Sequence, residues 1–367
     1  MNLRIFWRGA AMIAGAIMVA GPAIVRASPA ATQADSQRLP CRDNDKPCIA
    51  SAALNSPVRQ RAFWKMAFDK PVIERFGTAP TELSVFLNLE NLKDGVPNRP
   101  RAVEIPPDLL KDVKAAMADI PAPVWKLLEN RLAGIYFVKD LGGTAYCDYA
   151  DSGGNGAPAG WIALDMDVLA KRTANEWATW KENTPFKPAD GYRLDAVIET
   201  SSNDNRKNAI RYILLHEIGH VLSIGTKLHP RWDRPPAALD AYSFAHGSWQ
   251  WVPRTQGYAS RFDDQFSLRR DVRYYFGAKL SLAQARDVYA GLASTNFPSL
   301  YAATSPGDDF AESFATFVHS VVQKRPWEIR LYRHGKLLES RGTCWDEKRC
   351  SEKRRLLEDL MQHRCRP

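Results

Sequence analysis

The stretch from Ile213 to Ile224, I-L-L-H-E-I-G-H-V-L-S-I, constrains this chain more than any other. His216 and His220 stand four residues apart, and on a helix that spacing places them one above the other on a single face. Two imidazoles so placed can grip one metal ion. Zinc suits them, because imidazole nitrogens hold it at about 2.0–2.1 Å and a catalytic zinc keeps three protein ligands and one position for water. Glu217, one step round from His216, can reach that water and take its proton. Ile210, Ile213, Leu214, Leu215, Ile218, Val221 and Leu222 make the predicted helix apolar around most of its circumference, so it should be buried with its histidines. Asn203 or Asp204 offers an N-cap, and Gly225 a stop.

At 367 residues the chain can bury a full core, as one large domain or two ordinary ones. Its start has another purpose. Arg4 and Arg8 precede an apolar run from Ala10 to Val25, followed by small residues fit for cleavage. This is the pattern of a secretory signal peptide over 1–27, and the run is too short for the roughly 20 apolar residues that span a bilayer. Its removal takes away Arg4, Arg8 and Arg26 and no acid, lowering the formal charge from +9 to +6. Residues 324–367 hold 13 Lys and Arg against 7 Asp and Glu, the same surplus, so the body is balanced and the tail basic. Such a tail is most simply a solvated face, with an anionic envelope surface as its alternative partner. No nucleic-acid fold with stacking aromatics is visible, so a nucleic-acid partner is not expected. The six cysteines favour disulfides in an exported chain. Short loops pair Cys41 with Cys48 and Cys344 with Cys350, leaving Cys147 for Cys365.

Residues 28–100 read as a lead-in, loosely ordered up to residue 60 apart from the Cys41–Cys48 loop. Within it Arg61 to Phe76 has helical spacing, and Ser84 to Leu89 suits a strand. The Pro- and Gly-rich segment from Gly95 to Pro107 then reads as a linker, which places a catalytic unit at 101–323 and the tail at 324–367. Helices are expected over Asp108–Met117 and Val124–Leu132, a strand over Ile135–Val138, and the clearest strand over Trp161–Asp167, where an extended peptide could add to a sheet edge. Ser281 to Gln284 opens a helix with a capping box. The loop from Thr226 to Phe262 is rich in aromatics, which could line a substrate wall or pack a satellite core. Strands followed by a long histidine-bearing helix imply an α+β fold.

A third ligand must come from elsewhere. Ser223 and Thr226 occupy the places where a metzincin has glycine and histidine. His229 follows a helix end and would need a special loop to return to the ion, and His246, His319, His334 and His363 are isolated. Ser305 as N-cap and Pro306 at the first position start a helix on which Asp308, Glu312 and Thr316 share one face. Such a stripe can offer one carboxylate to the ion and use the next to orient a histidine. Asp308 could equally complete a capping box with Ser305, and Glu312 could be a solvated helix acid.

These motifs carry a resemblance. His216-Glu217-x-x-His220 followed by Tyr301-x6-Asp308-Asp-Phe-Ala-Glu312-x-Phe314 is similar to the catalytic core of gluzincin-type metallopeptidases, especially the anthrax lethal factor and Pro-Pro endopeptidase families. The resemblance covers about residues 130–323. It implies a zincin-like domain with a small mixed sheet on an active-site helix, one Zn2+, and a peptide or protein substrate. It further implies Asp308 as third ligand, Glu312 as the acid behind the ligands, and Tyr301 as donor to the oxyanion. This chain has aspartate where those families have glutamate, so Glu312 stands as the alternative ligand. An exported zinc-dependent metallopeptidase is the expectation. An exported, zinc-containing binding protein of the cell envelope without hydrolytic activity is its rival.

Overall fold

A computed structural model describes residues 39–154, 157–231, 236, 238–275 and 277–362. The expected signal segment 1–27 lies outside them, as do His363 and Cys365. In chain order the first elements are α1 (Lys46–Leu54), α2 (Lys65–Phe68), β1 (Phe76–Thr78), α3 (Thr81–Lys93), β2 (Arg101–Ala102), α4 (Pro107–Ala118) and α5 (Ala122–Leu128). From residue 39 onward the lead-in is folded, contrary to expectation, because α1 turns Ile49 and Ala53 onto α3 and the core continues through Val58 and Trp64. Ser84–Leu89 is helix, not strand. Leu83, Phe86, Leu87 and Glu90 recur at helical spacing and all four are buried. The helix expected over Arg61–Phe76 is cut short, with Pro71 beyond α2 and β1 after it.

The middle of the chain supplies β3 (Leu132–Lys139), β4 (Ala145–Ala150), β5 (Ala159–Asp165), α6 (Met166–Leu169), α7 (Ala174–Asn183), β6 (Phe186–Lys187), β7 (Tyr192–Val197) and α8 (Arg206–Ser223). The main sheet has the order β1-β3-β5-β4, with β2 also on β3. Its first three strands are parallel and β4 runs antiparallel. The strand expected to offer a sheet edge, β5, lies between β3 and β4 and is buried on both faces, so the edge beside α8 is β4. Ile162 and Leu164 look toward the core around α8, Trp161 and Ala163 toward α3.

Beyond α8 come β8 (Trp249–Val252), β9 (Gly257–Ser260), β10 (Leu280–Ser281), α9 (Ala285–Ala293), α10 (Pro306–Thr316), β11 (Glu328–Arg333), β12 (Lys336–Gly342) and α11 (Ser351–Met361). The fold is α+β. In the aromatic loop Phe244 and Trp249 are core, and β8–β9 is a hairpin on which Trp251 and Tyr258 meet edge to face with ring centroids 5.0 Å apart. The boundaries expected at 100 and 323 do not separate folding units. β1 shares the sheet of β3, and β7 takes β11 as its partner, with β12 beyond. The basic tail is not merely a solvated face, because Leu357 and Leu360 are buried and Lys353 Nζ lies 2.5 Å from Asp309 Oδ1 on α10. Disulfides join Cys41 to Cys48 and Cys344 to Cys350 as expected, whereas Cys147 is a free thiol and Cys365 lies outside the described residues. Two disulfides point to an oxidising compartment. Among the described residues no helix is long and apolar enough to cross a membrane.

Candidate metal centre

The centre forms where α8 crosses α10. Helix α8 starts at Asn205, whose side chain accepts from Asn208 N, rather than at Asn203 or Asp204. It stops at Gly225, whose φ of +71° suits a residue without a Cβ. Gly219, the glycine of the histidine motif, lets the helices touch. A Cβ there would stand 2.7 Å from Ala311 Cα, so only glycine permits this backbone approach.

The crossing sets the histidines of α8 against the acids of α10. His216 Nε2 and His220 Nε2 are 3.1 Å apart, and Asp308 Oδ1 lies 3.7 Å from His220 Nε2. Candidate ligand atoms of His216, His220 and Asp308 all fall within 4.8 Å of one another. Donors about 2.0–2.2 Å from a shared zinc must sit at roughly such separations, so this set of two imidazoles and a carboxylate fits zinc. The other oxygen of Asp308, Oδ2, accepts from Ser305 Oγ at 2.7 Å and Thr304 Oγ1 at 3.1 Å, which leaves Oδ1 facing the histidines. Ser305 caps α10 as expected and also accepts from Asp308 N. The capping contact and the approach to the histidines therefore coexist.

Glu312 is fully buried and occupied elsewhere. Its Oε1 meets His216 Nδ1 at 3.1 Å and the ammonium of Lys181, and its Oε2 accepts from Ser299 Oγ at 3.1 Å. Burial alone would raise its pKa, but Lys181 and the His216 contact prevail and hold it at about 2. Glu217 behaves oppositely. Burial, reinforced by the charge of Asp308, lifts it to about 8 without a metal. Burial, then the neighbouring imidazoles of His216 and His229, keeps His220 well below its ordinary value, so its lone pair is available.

Tyr301 lies on the turn before α10 with its ring 5.6 Å from that of His216. Burial, then the charge of Asp308, drives its phenol well above the ordinary range, so it stays protonated and can donate. The free thiol of Cys147, on β4, is raised first by burial and then by the charge of Glu217, which places the edge strand beside that acid.

Sequence reasoning missed several neighbours. Lys181 is buried between Glu312 and Glu182, and Glu182 in turn accepts from Tyr274 Oη at 2.7 Å and Tyr289 Oη at 3.2 Å. A signal existed, since Ala174, Trp177, Ala178 and Lys181 fall at helical spacing on one buried stripe. Tyr275 stands 6.4 Å ring to ring from Tyr301 with φ of +67°, a left-handed backbone that a tyrosine adopts only under constraint. His229 returns to the centre after all, buried beside His220. No protein-family model, curated protein or solved structure matches the chain.

Proposed function

We propose that the protein is an exported zinc-dependent metallopeptidase of zincin type that hydrolyses peptide bonds. The observation that carries this reading is the convergence of Asp308 on His216 and His220 with Glu217 on the same helix. Zinc bound by His216, His220 and Asp308 would supply a Lewis acid that polarises a carbonyl and acidifies water.

The chain's own groups supply the rest. Glu217 removes the proton of the attacking water and returns it to the leaving amine. The neutral phenol of Tyr301 donates to the oxyanion. Lys181 and Ser299 fix Glu312, and Glu312 fixes the ring of His216, so the acid nearest the histidine serves as its acceptor while Asp308 binds. The substrate backbone runs beside β4, the terminal strand of the sheet next to α8, whose edge can take an extended peptide as an added strand.

The test is a Glu217→Gln variant loaded with zinc and mixed with a peptide library, with products read by mass spectrometry. The parent is expected to cleave, and the variant to bind zinc equally and cleave nothing. A zinc-loaded parent that leaves the library intact would return the protein to the non-hydrolytic binding alternative. A variant that cleaves as the parent does would remove Glu217 as the base.

A further inference from the structure

His229 has no role in the chemistry above, yet its environment is specialised. It is 4% exposed on the loop after α8, and its Nδ1 lies 2.8 Å from the carbonyl oxygen of Pro230. A carbonyl only accepts, so Nδ1 carries the ring proton and donates it. Nε2 is then a bare lone pair, buried, with no hydrogen-bond partner among the described residues. Buried acceptors are rarely left unmade, and an imidazole whose Nδ1 proton is held by a backbone carbonyl is prepared to receive something at Nε2.

A neighbouring group that will need an acceptor is on His220. Its Nε2 faces His216 Nε2 at 3.1 Å and Asp308 Oδ1 at 3.7 Å. Once Nε2 binds an ion, Nδ1 must carry the proton, and metal-bound histidines almost always pass that proton to an acceptor behind them. For His216 the acceptor is Glu312, 3.1 Å from Nδ1. For His220 no hydrogen bond of Nδ1 exists among the described residues. The two rings converge on Gly307, where a Cβ would lie 3.7 Å from His229 Cε1 and 4.0 Å from His220 Cε1. The rings of His220 and His229 therefore both border Gly307, each by the carbon that joins its two nitrogens.

We propose that His229 is a positioning residue whose Nε2 accepts the Nδ1 proton of His220 when the site is loaded, completing a relay from His220 through His229 to the Pro230 carbonyl. The relay rests on the metal reading given above. One ligand would thus be oriented by an acid and the other by a neutral imidazole. His229 stands outside the group of atoms that lie within 4.8 Å of one another, which places it behind the ligands rather than among them.

The test compares the zinc affinity of the full chain with those of His229→Leu and His229→Gln, using competition with a chelator of known strength. Loss of an acceptor behind a ligand weakens binding by about 10–100-fold, so the leucine variant is expected to fall in that range. Glutamine places an oxygen near the position of Nε2 and is expected to restore most of the affinity. In histidine-labelled, zinc-loaded parent an exchange-protected Nδ1 proton of His220 should appear by NMR, vanish in the leucine variant and return with glutamine. Unfolding of the metal-free variants in urea shows whether any loss is merely structural.

A leucine variant that binds zinc like the parent overturns the relay and leaves the metal site standing. Zinc binding weakened in both variants, with one imidazole fewer around the zinc that remains by X-ray absorption than in the parent, would make His229 a ligand and also overturn it. A parent that binds no zinc sinks both the relay and the reading beneath it.

Discussion

Asp308 has a short side chain, and the backbone brings it within reach. At the Gly219–Ala311 contact α10 comes close enough for a short side chain to reach the histidines. Glu312, one turn further on, is longer but is committed to Lys181, His216 and Ser299. The choice between the acids was open in the sequence because helical spacing sets them on the same face without saying which side chain finds a partner first. The buried Lys181 occupies Glu312 and so favours Asp308 as the proposed ligand, and a lone lysine reads as solvated unless its place on the stripe of Trp177 and Ala178 is noticed. Tyr301 was singled out only through the resemblance, and its role as oxyanion donor is part of the proposal. Its role gives a residue-level expectation: Tyr301→Phe lowers kcat by about 10²–10³-fold, the usual loss for one oxyanion donor, with zinc content unchanged. Steady-state kinetics with metal analysis checks this, and a variant with parental kcat would take Tyr301 out of the reaction.

Among the elements, α8 and α10 were the most legible. The first carries a metal motif within an apolar circumference, and the second is marked by a serine cap and a proline at its first position. Strand β5 was recognised as a strand but misplaced at an edge, because alternation reports which faces are buried and not which neighbours pair. Helix α3 was mistaken for a strand, since Val85-Phe-Leu-Asn-Leu89 is a short apolar run that either structure can hold. Helix α11 was hidden in a basic tail. Lys353, Leu357 and Leu360 share its buried face, and Lys353 meets an Asp309 that also accepts from Trp249 Nε1 at 3.0 Å. Burial lowers the pKa of Lys353 and raises that of Asp309, so each depends on the other's charge. Removing one partner of a buried pair leaves an uncompensated charge, so Lys353→Met is expected to destabilise the protein by about 3–5 kcal/mol. Urea unfolding measures it. A loss under about 1 kcal/mol, the scale of an exposed pair, would mean that the tail does not brace α10.

At the scale of the whole molecule, both ends of the described chain pair with its middle, in two separate sheets. The first segment supplies β1 to the main sheet and α3 to the core on its outer face, and the last supplies β11 and β12, which extend β7, and α11, which joins the core around α8. Domain boundaries read from proline-rich stretches and charge surplus failed for this reason, since composition reports solvation and flexibility but not long-range pairing. The disulfides were legible because short sequence separation favours closure, and both join near neighbours, at separations of 7 and 6 residues. The most direct measurement is the zinc bound per chain in the purified protein, by elemental analysis, alongside Asp308→Ala and Glu312→Ala. A site of three protein ligands predicts about one zinc in the parent and its loss in Asp308→Ala. In Glu312→Ala the zinc should remain but bind about 10–100-fold more weakly, as expected for an acceptor behind a ligand. No zinc in the parent after reconstitution, or zinc kept by Asp308→Ala and lost from Glu312→Ala, would contradict the site as assigned.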